Sequence, residues 1–179
     1  MNDMSVQTRE RIIKAAAKEF AEKGFYNTQI SHIVESAGVA RGTFYIYFKS
    51  KEEVFEEILK KVVEDLKERI KPVDISRDPV EQVKENVKRV IDYALENREL
   101  AKIILFRSCE PNYAKIIDCF FEDVVNLISR SLEKGIKLGI LKPHDTEVVA
   151  RVILGGVKEV IKSLICKRKL IQKKLRMNF

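Results

Sequence analysis

Apolar residues recur at spacings of three and four along nearly the whole chain, and they form no convincing alternating pair of strands. That period predicts an all-α protein. In TRERIIKAAAKEFAEKG, Ile12, Ile13, Ala16, Phe20 and Ala21 fall on one face, and Gly24 supplies a residue suited to the positive φ that ends a helix. Thr28 is the expected start of a short helix, QISHIVESA, because its hydroxyl can accept from the free amides of the first turn. Ile30, Ile33 and Val34 turn inward there. Gly38 closes that helix, Val39 anchors the turn, and ARGTFYIYF forms the next short helix.

In SKEEVF, Ser50 and Glu53 have the spacing of a reciprocal cap, so a longer helix starts there and runs to Pro72. Further helices are expected at roughly 78–95, 99–108, 112–137 and 145–166, with a short basic end after 168. Pro79, Pro111 and Pro143 stand near helix starts, where proline is tolerated. The resulting division is a three-helix module over residues 1–50 and a larger helical body over 51–179. One continuous connection at 48–52 would pass motion of the body to the module.

Charge changes the picture by its placement. Residues 1–51 carry a net +3, residues 52–161 a net −3, and residues 162–179 a net +7. A basic amino-terminal module suits a polyanion such as DNA, whereas the basic end could serve DNA, an anionic surface, a partner or solubility. Cys109, Cys119 and Cys166 match neither a zinc knuckle nor a CxxC pair, which fits a reducing cytoplasm. No leader-like segment and no apolar run long enough to span a membrane is present in the sequence.

A helix, a tight turn at Gly38 and a second short helix make a helix-turn-helix, in which the second helix can enter a major groove about 12 Å wide. Phe44 and Phe48, four apart, close the small core with Ile12, Phe20 and Ile33. Arg41 and Tyr45 share a different face, and Gly42 keeps it low enough for close approach to base edges. Arg41 has the donors to bind guanine O6 and N7. Thr28, Thr43, Tyr47 and Lys51 suit phosphates, which set position rather than sequence preference. Each also has an ordinary reading: Arg41 as a solvated charge, Tyr45 and Tyr47 as packed aromatics, Thr28 as a cap. A cation at Lys51 opposes the helix dipole, a cost that phosphate binding would offset.

The stretch from Thr28 to Phe55, TQISHIVESAGVARGTFYIYFKSKEEVF, together with the preceding RERIIKAAAKEFAEKGF helix, closely resembles the amino-terminal domain of the TetR family of transcriptional regulators. The motif joins turn, recognition helix and linker helix in fixed register. The resemblance implies base contacts at Arg41, Gly42 and Tyr45 and phosphate contacts around Thr28, Thr43, Tyr47 and Lys51. Two departures stand inside it: Ile46 occupies a place often polar, and Ala40 replaces a frequent serine. A third is the short basic end after Lys167, where many relatives have an apolar final helix.

The resemblance further implies a homodimer on palindromic operator DNA, acting as a repressor released by a small-molecule effector, or as an activator of the same fold. Its dimer surface is expected on the 145–166 helix, at Val149, Val152, Ile153, Gly156, Val157, Val160 and Ile161. An effector cavity is expected within the body, lined by Leu59, Val62, Tyr93, Phe106, Cys109, Tyr113, Phe120 and Phe121. That set favours an apolar or aromatic ligand. No cofactor, metal or catalytic residue is expected: His32 and His144 have no ligand cluster at metal spacing, and Cys109, Glu110 and Cys119 form no nucleophilic arrangement. The alternative outside DNA binding is a helical membrane-surface or interaction protein using its basic end, where Leu164, Ile165, Leu170, Ile171 and Leu175 give partial amphipathicity.

Overall fold

The computed structural model describes residues 3–72, 74, 76–106 and 111–177. Within them lie eight helices and no strand: α1 (Asp3–Lys23), α2 (Ile30–Ala37), α3 (Arg41–Tyr47), α4 (Lys51–Arg69), α5 (Pro79–Glu96), α6 (Arg98–Phe106), α7 (Pro111–Lys137) and α8 (Thr146–Met177). α1 begins at Asp3, nine residues before Ile12, the first position of its apolar face. α8 runs without a break through the basic end that the sequence suggested as a separate piece. Between Cys166 and Met177 there is no glycine or proline, and Lys, Arg, Leu and Gln all favour continued helix.

The turns of the amino-terminal module follow from specific donors and acceptors. Gly24 takes φ 81°, and its N–H bonds back to the Phe20 carbonyl. Gly38 ends α2 at φ 62°, with Val39 N–H returned to the Val34 carbonyl at 3.0 Å. Arg11, reaching across from α1, donates to the carbonyls of Ala37 at 2.7 Å and Gly38 at 3.1 Å. The free end of α2 is thus held by the helix it packs against, and this fixes where α3 begins.

α4 starts as its sequence implies, with Ser50 Oγ accepting from Glu53 N–H at 3.3 Å. The return bond from Glu53 goes to Lys49 N–H rather than to Ser50 N–H. Asp78 and Asp145 accept from the first-turn amides of α5 and α8 in the same manner. α7 and α8 lie antiparallel: Arg151 makes a two-pronged ion pair with Glu122 at 2.8 and 2.9 Å, and Ser129 meets Thr146 at 2.8 Å.

One apolar cluster runs from the module into the body without interruption. It takes in Ile12, Phe20, Ile33, Phe44 and Phe48, passes along α4 through Phe55, Leu59 and Val62, and ends among Ile104, Ile117 and Val124. At the joint, the rings of Phe20, Phe25, Phe55 and Tyr113 stand 5.1–5.5 Å apart in contacting pairs. Tyr113 also donates its hydroxyl to the Ile103 carbonyl at 2.7 Å. α1, α4, α6 and α7 therefore meet in a single packed knot. No described helix is long and apolar enough to cross a membrane.

Candidate nucleic-acid interface and ligand cavity

α3 buries Phe44 and turns one side of its short length outward. Phe44 and Phe48 pack 5.9 Å apart over the α1–α2 pair, which leaves Arg41, Gly42, Tyr45 and Ile46 on the free side. Arg41 is exposed and makes no hydrogen bond or ion pair with the described residues. A Cβ at Gly42 would meet nothing within 4 Å, so the face there is open to close approach. Tyr45 is 48% exposed, its ring held edge-on against Phe44 at 5.5 Å. The packing sets the direction of the phenol while leaving its hydroxyl end free. Thr43 and Tyr47 are half-buried at the flanks of this surface.

Two residues expected at phosphates have their side-chain polar groups engaged within the chain. Thr28 is 0% exposed, and its hydroxyl donates to the carbonyls of Gly24 at 2.8 Å and Glu19 at 3.1 Å. It ties the end of α1 to the start of α2 and presents no side-chain atom to a ligand. Nor does it cap α2: Gln29 stands at that position, with its N–H donating to His32 Nδ1 at 3.2 Å. Lys51 is also committed. Its ammonium donates to the carbonyls of Phe25, Tyr26 and Thr28 at 2.9, 3.1 and 3.0 Å and sits 4.6 Å from the centre of the Phe25 ring. Three carbonyl dipoles, rather than a phosphate, offset the cost of a cation in the first turn of α4.

Ile46 was noted in the sequence only as a departure. It is 77% exposed beside Tyr45 on the same outward surface, an apolar group with no partner in its own chain to cover it. The signal was present in its residue type, but helical spacing alone could not say whether it faced the body or open solvent.

In the body, an apolar cavity of about 90 Å³ lies among α4, α5, α6, α7 and α8. Four of the expected lining residues, Val62, Tyr93, Phe120 and Phe121, reach it. The others do not. Leu59 faces a separate surface groove between α4 and α7. Tyr113 is locked in the ring knot, Phe106 is largely exposed, and Cys109 lies outside the described residues. Tyr93 donates its hydroxyl to Asp65 Oδ2 at 2.8 Å, and burial together with this carboxylate pushes the phenol well above its ordinary range. It remains a proton donor at any physiological pH.

α8 divides its apolar residues between two faces. Val157 and Ile161, expected at a dimer surface, turn inward and line the cavity, with Ile161 buried against Ala101 and Ile165. Val149 and Ile153 are half-buried at the seam. Val152, Gly156 and Val160 do lie outward, on one ridge with Val148 and Leu164. A Cβ at Gly155 or Gly156 would meet nothing, so this ridge is flat and uncovered in the single chain. Two polar cavity residues escaped the sequence reading: Asn97, and Lys158, whose Nζ lies 3.6 Å from the centre of the Phe121 ring. Among the described residues, no three of His, Cys, Asp and Glu cluster as metal ligands would.

The sequence profile for bacterial regulatory proteins of the tetR family matches residues 12–58, which span α1 to the first half of α4. Over most of its length the chain is 30% identical to the uncharacterized HTH-type transcriptional regulator YdgC of Bacillus subtilis, covering 92% of this chain and 85% of that one. It is 27% identical to the HTH-type transcriptional repressor KstR2 of Mycolicibacterium smegmatis, over 81% of this chain and 73% of the other. Its fold is similar to the crystal structure of the regulator FadR from Bacillus subtilis in complex with stearoyl-CoA, with a TM-score of 0.72, 25% identity and coverage of 89% and 88%.

Proposed function

The chain belongs to the TetR family of bacterial regulatory proteins, and from that premise we propose that it is a homodimeric repressor, released from a palindromic operator by an apolar effector. It is a DNA-binding regulator of transcription and not an enzyme. In this reading residues 1–50 read DNA, residues 51–179 hold the effector and the dimer surface, and the protein works in the cytoplasm with its DNA.

The observation that carries the reading is the free surface of α3. Arg41, Gly42 and Tyr45 are held outward by a helix whose other side is locked into the core, and none of their side-chain polar ends is used by the described residues. Such a surface costs solvation nothing in the free protein and offers hydrogen bonds to base edges. Thr43 and Tyr47, at its flanks, are placed for phosphates. The ridge of Val148, Val152, Gly156, Val160 and Leu164 supports pairing of two copies through α8. A two-fold pair would set its two α3 helices on successive major grooves about 34–36 Å apart.

The cavity supports release. At about 90 Å³ it is smaller than the engineered cavity of about 150 Å³ known to admit benzene, so an effector of useful size must displace its walls. Two of those walls, Val62 and Leu66, belong to α4, and the first turn of α4 is tied through Lys51 to the turn that precedes α2. A ligand that spreads the cavity therefore strains a helix that also positions the DNA module. The relatives named as a repressor and as a stearoyl-CoA complex favour repression and a long apolar ligand.

Selection of bound duplexes from a random pool by the purified protein tests the proposal. Enrichment of an inverted repeat whose half-sites lie one helical turn apart is expected; recovery of duplexes without a shared motif would refute it.

A further inference from the structure

The cavity wall is hydrocarbon apart from Asn97, the Tyr93 hydroxyl already engaged by Asp65, and one cation, Lys158. Asn97 is likewise occupied, donating its side-chain amide to the Tyr93 carbonyl at 3.0 Å. Lys158, unlike the paired bases of the body, stands in the cavity wall. Lys60, Lys84, Lys88, Lys102 and Arg151 each close an ion pair with a carboxylate. Lys158 closes none among the described residues: Asp118 on α7 attracts it from beyond ion-pair distance, Lys162 one turn along α8 repels it, and its direct partner is the face of Phe121. Partial burial, followed by that repulsion, holds its ammonium below the ordinary lysine range, as expected for a charge kept short of both water and a counter-ion.

Resting on the reading of this cavity as the effector site, we infer that the effector is an apolar carboxylic acid, with its hydrocarbon in the cavity and its carboxylate on Lys158. Lys162 reinforces the field from the adjacent turn. The carboxylate supplies the counter-ion that Asp118 fails to provide, and it draws the lysine off the Phe121 ring. That ring forms part of the wall a ligand must open. Charge recognition and cavity opening are thereby linked at one pair of side chains, Lys158 and Phe121. A neutral chain of equal length fills the same space without this gain.

Isothermal titration of the full-length protein with decanoate, 1-decanol and decanoyl-CoA tests the inference, using wild type, Lys158→Met and Lys162→Met. Wild type should bind decanoate at least about tenfold more tightly than decanol, the scale of one charge-assisted hydrogen bond. Lys158→Met should erase that preference while keeping decanol affinity, which also shows that the variant is folded. Lys162→Met should reduce the preference in part. Equal binding of decanoate and decanol by wild type, a preference that survives Lys158→Met, or tight binding of decanoyl-CoA alone would overturn the carboxylate assignment and leave the cavity reading intact. Failure of all three probes to bind, or binding unchanged by the cavity-filling Leu154→Trp, would overturn the cavity reading and the inference with it.

Discussion

Lys51 shows how far a residue's role depends on what the chain folds around it. Its type and its place in the first helical turn suggested a phosphate contact, because a cation there needs a compensating negative group. The compensation is internal: three carbonyls from residues 25–28 and the Phe25 ring. Lys51→Met should therefore destabilise the fold by about 1–3 kcal/mol, the range for hydrogen bonds to a charged group. Urea unfolding measures this. The slope of log affinity for operator against log salt should stay unchanged, whereas loss of a true phosphate contact would reduce it by about one. Thr28 was misread for the same reason, since acceptors at Glu19 and Gly24 become its neighbours only once α1 ends in a tight turn. Arg41, Gly42 and Tyr45 were legible because their placement depends only on local helical spacing and the burial of Phe44. In the proposed operator complex Ile46, exposed beside them, would offer an apolar contact to a thymine methyl group.

At the scale of elements, most boundaries could be read directly, since glycines, prolines and capping residues act within a turn of where they stand. Gly38 is the clearest case. Its φ of 62° disfavours any side chain, and a Cβ there would come 3.2 Å from the Arg11 nitrogen that caps α2. Gly38→Ala should cost about 1–2 kcal/mol of stability, seen as a lowered thermal midpoint, and should weaken operator binding by shifting the start of α3. The roll of α8 was not legible. A helix with a cavity on one side and a bare ridge on the other carries apolar residues nearly all round, so its period cannot assign Val157 and Ile161 to one face and Val152 and Val160 to the opposite one. The outward ridge has a direct test. Val152 is 70% exposed in the single chain, so Val152→Asp should leave the monomer folded while sedimentation velocity shows loss of the dimer and operator affinity falls with it. A dimer that persists in Val152→Asp would move the pairing surface off this ridge.

For the whole molecule, the boundary proposed between module and body is not a break in packing, because the core is continuous across it. Arg9 of α1 reinforces the seam by pairing with Glu57 of α4, and Lys60 pairs with the same carboxylate. Hydrogen bonds from Lys60 and Arg9 hold Glu57 below the ordinary carboxylate range. A lowered folded-state pKa stabilises the protein above the unfolded value, and that contribution is lost as pH falls through the lowered one. The stability difference between wild type and Glu57→Gln should accordingly be greatest near neutral pH and shrink below about pH 4, as followed by urea unfolding at stepped pH. In the proposed function effector and operator act on one such continuous body, so each would weaken the other's binding by the same factor. All of this presupposes that the α3 surface reads sequence. The most direct measurement is fluorescence anisotropy of the selected inverted repeat against a scrambled duplex, at fixed salt, with wild type, Arg41→Ala and Tyr45→Ala. Strong preference for the repeat by wild type, with each substitution removing about 1–3 kcal/mol of that preference and little of the binding to scrambled DNA, is the expected result. Equal affinity of wild type for both duplexes, or discrimination untouched by both substitutions, would contradict it.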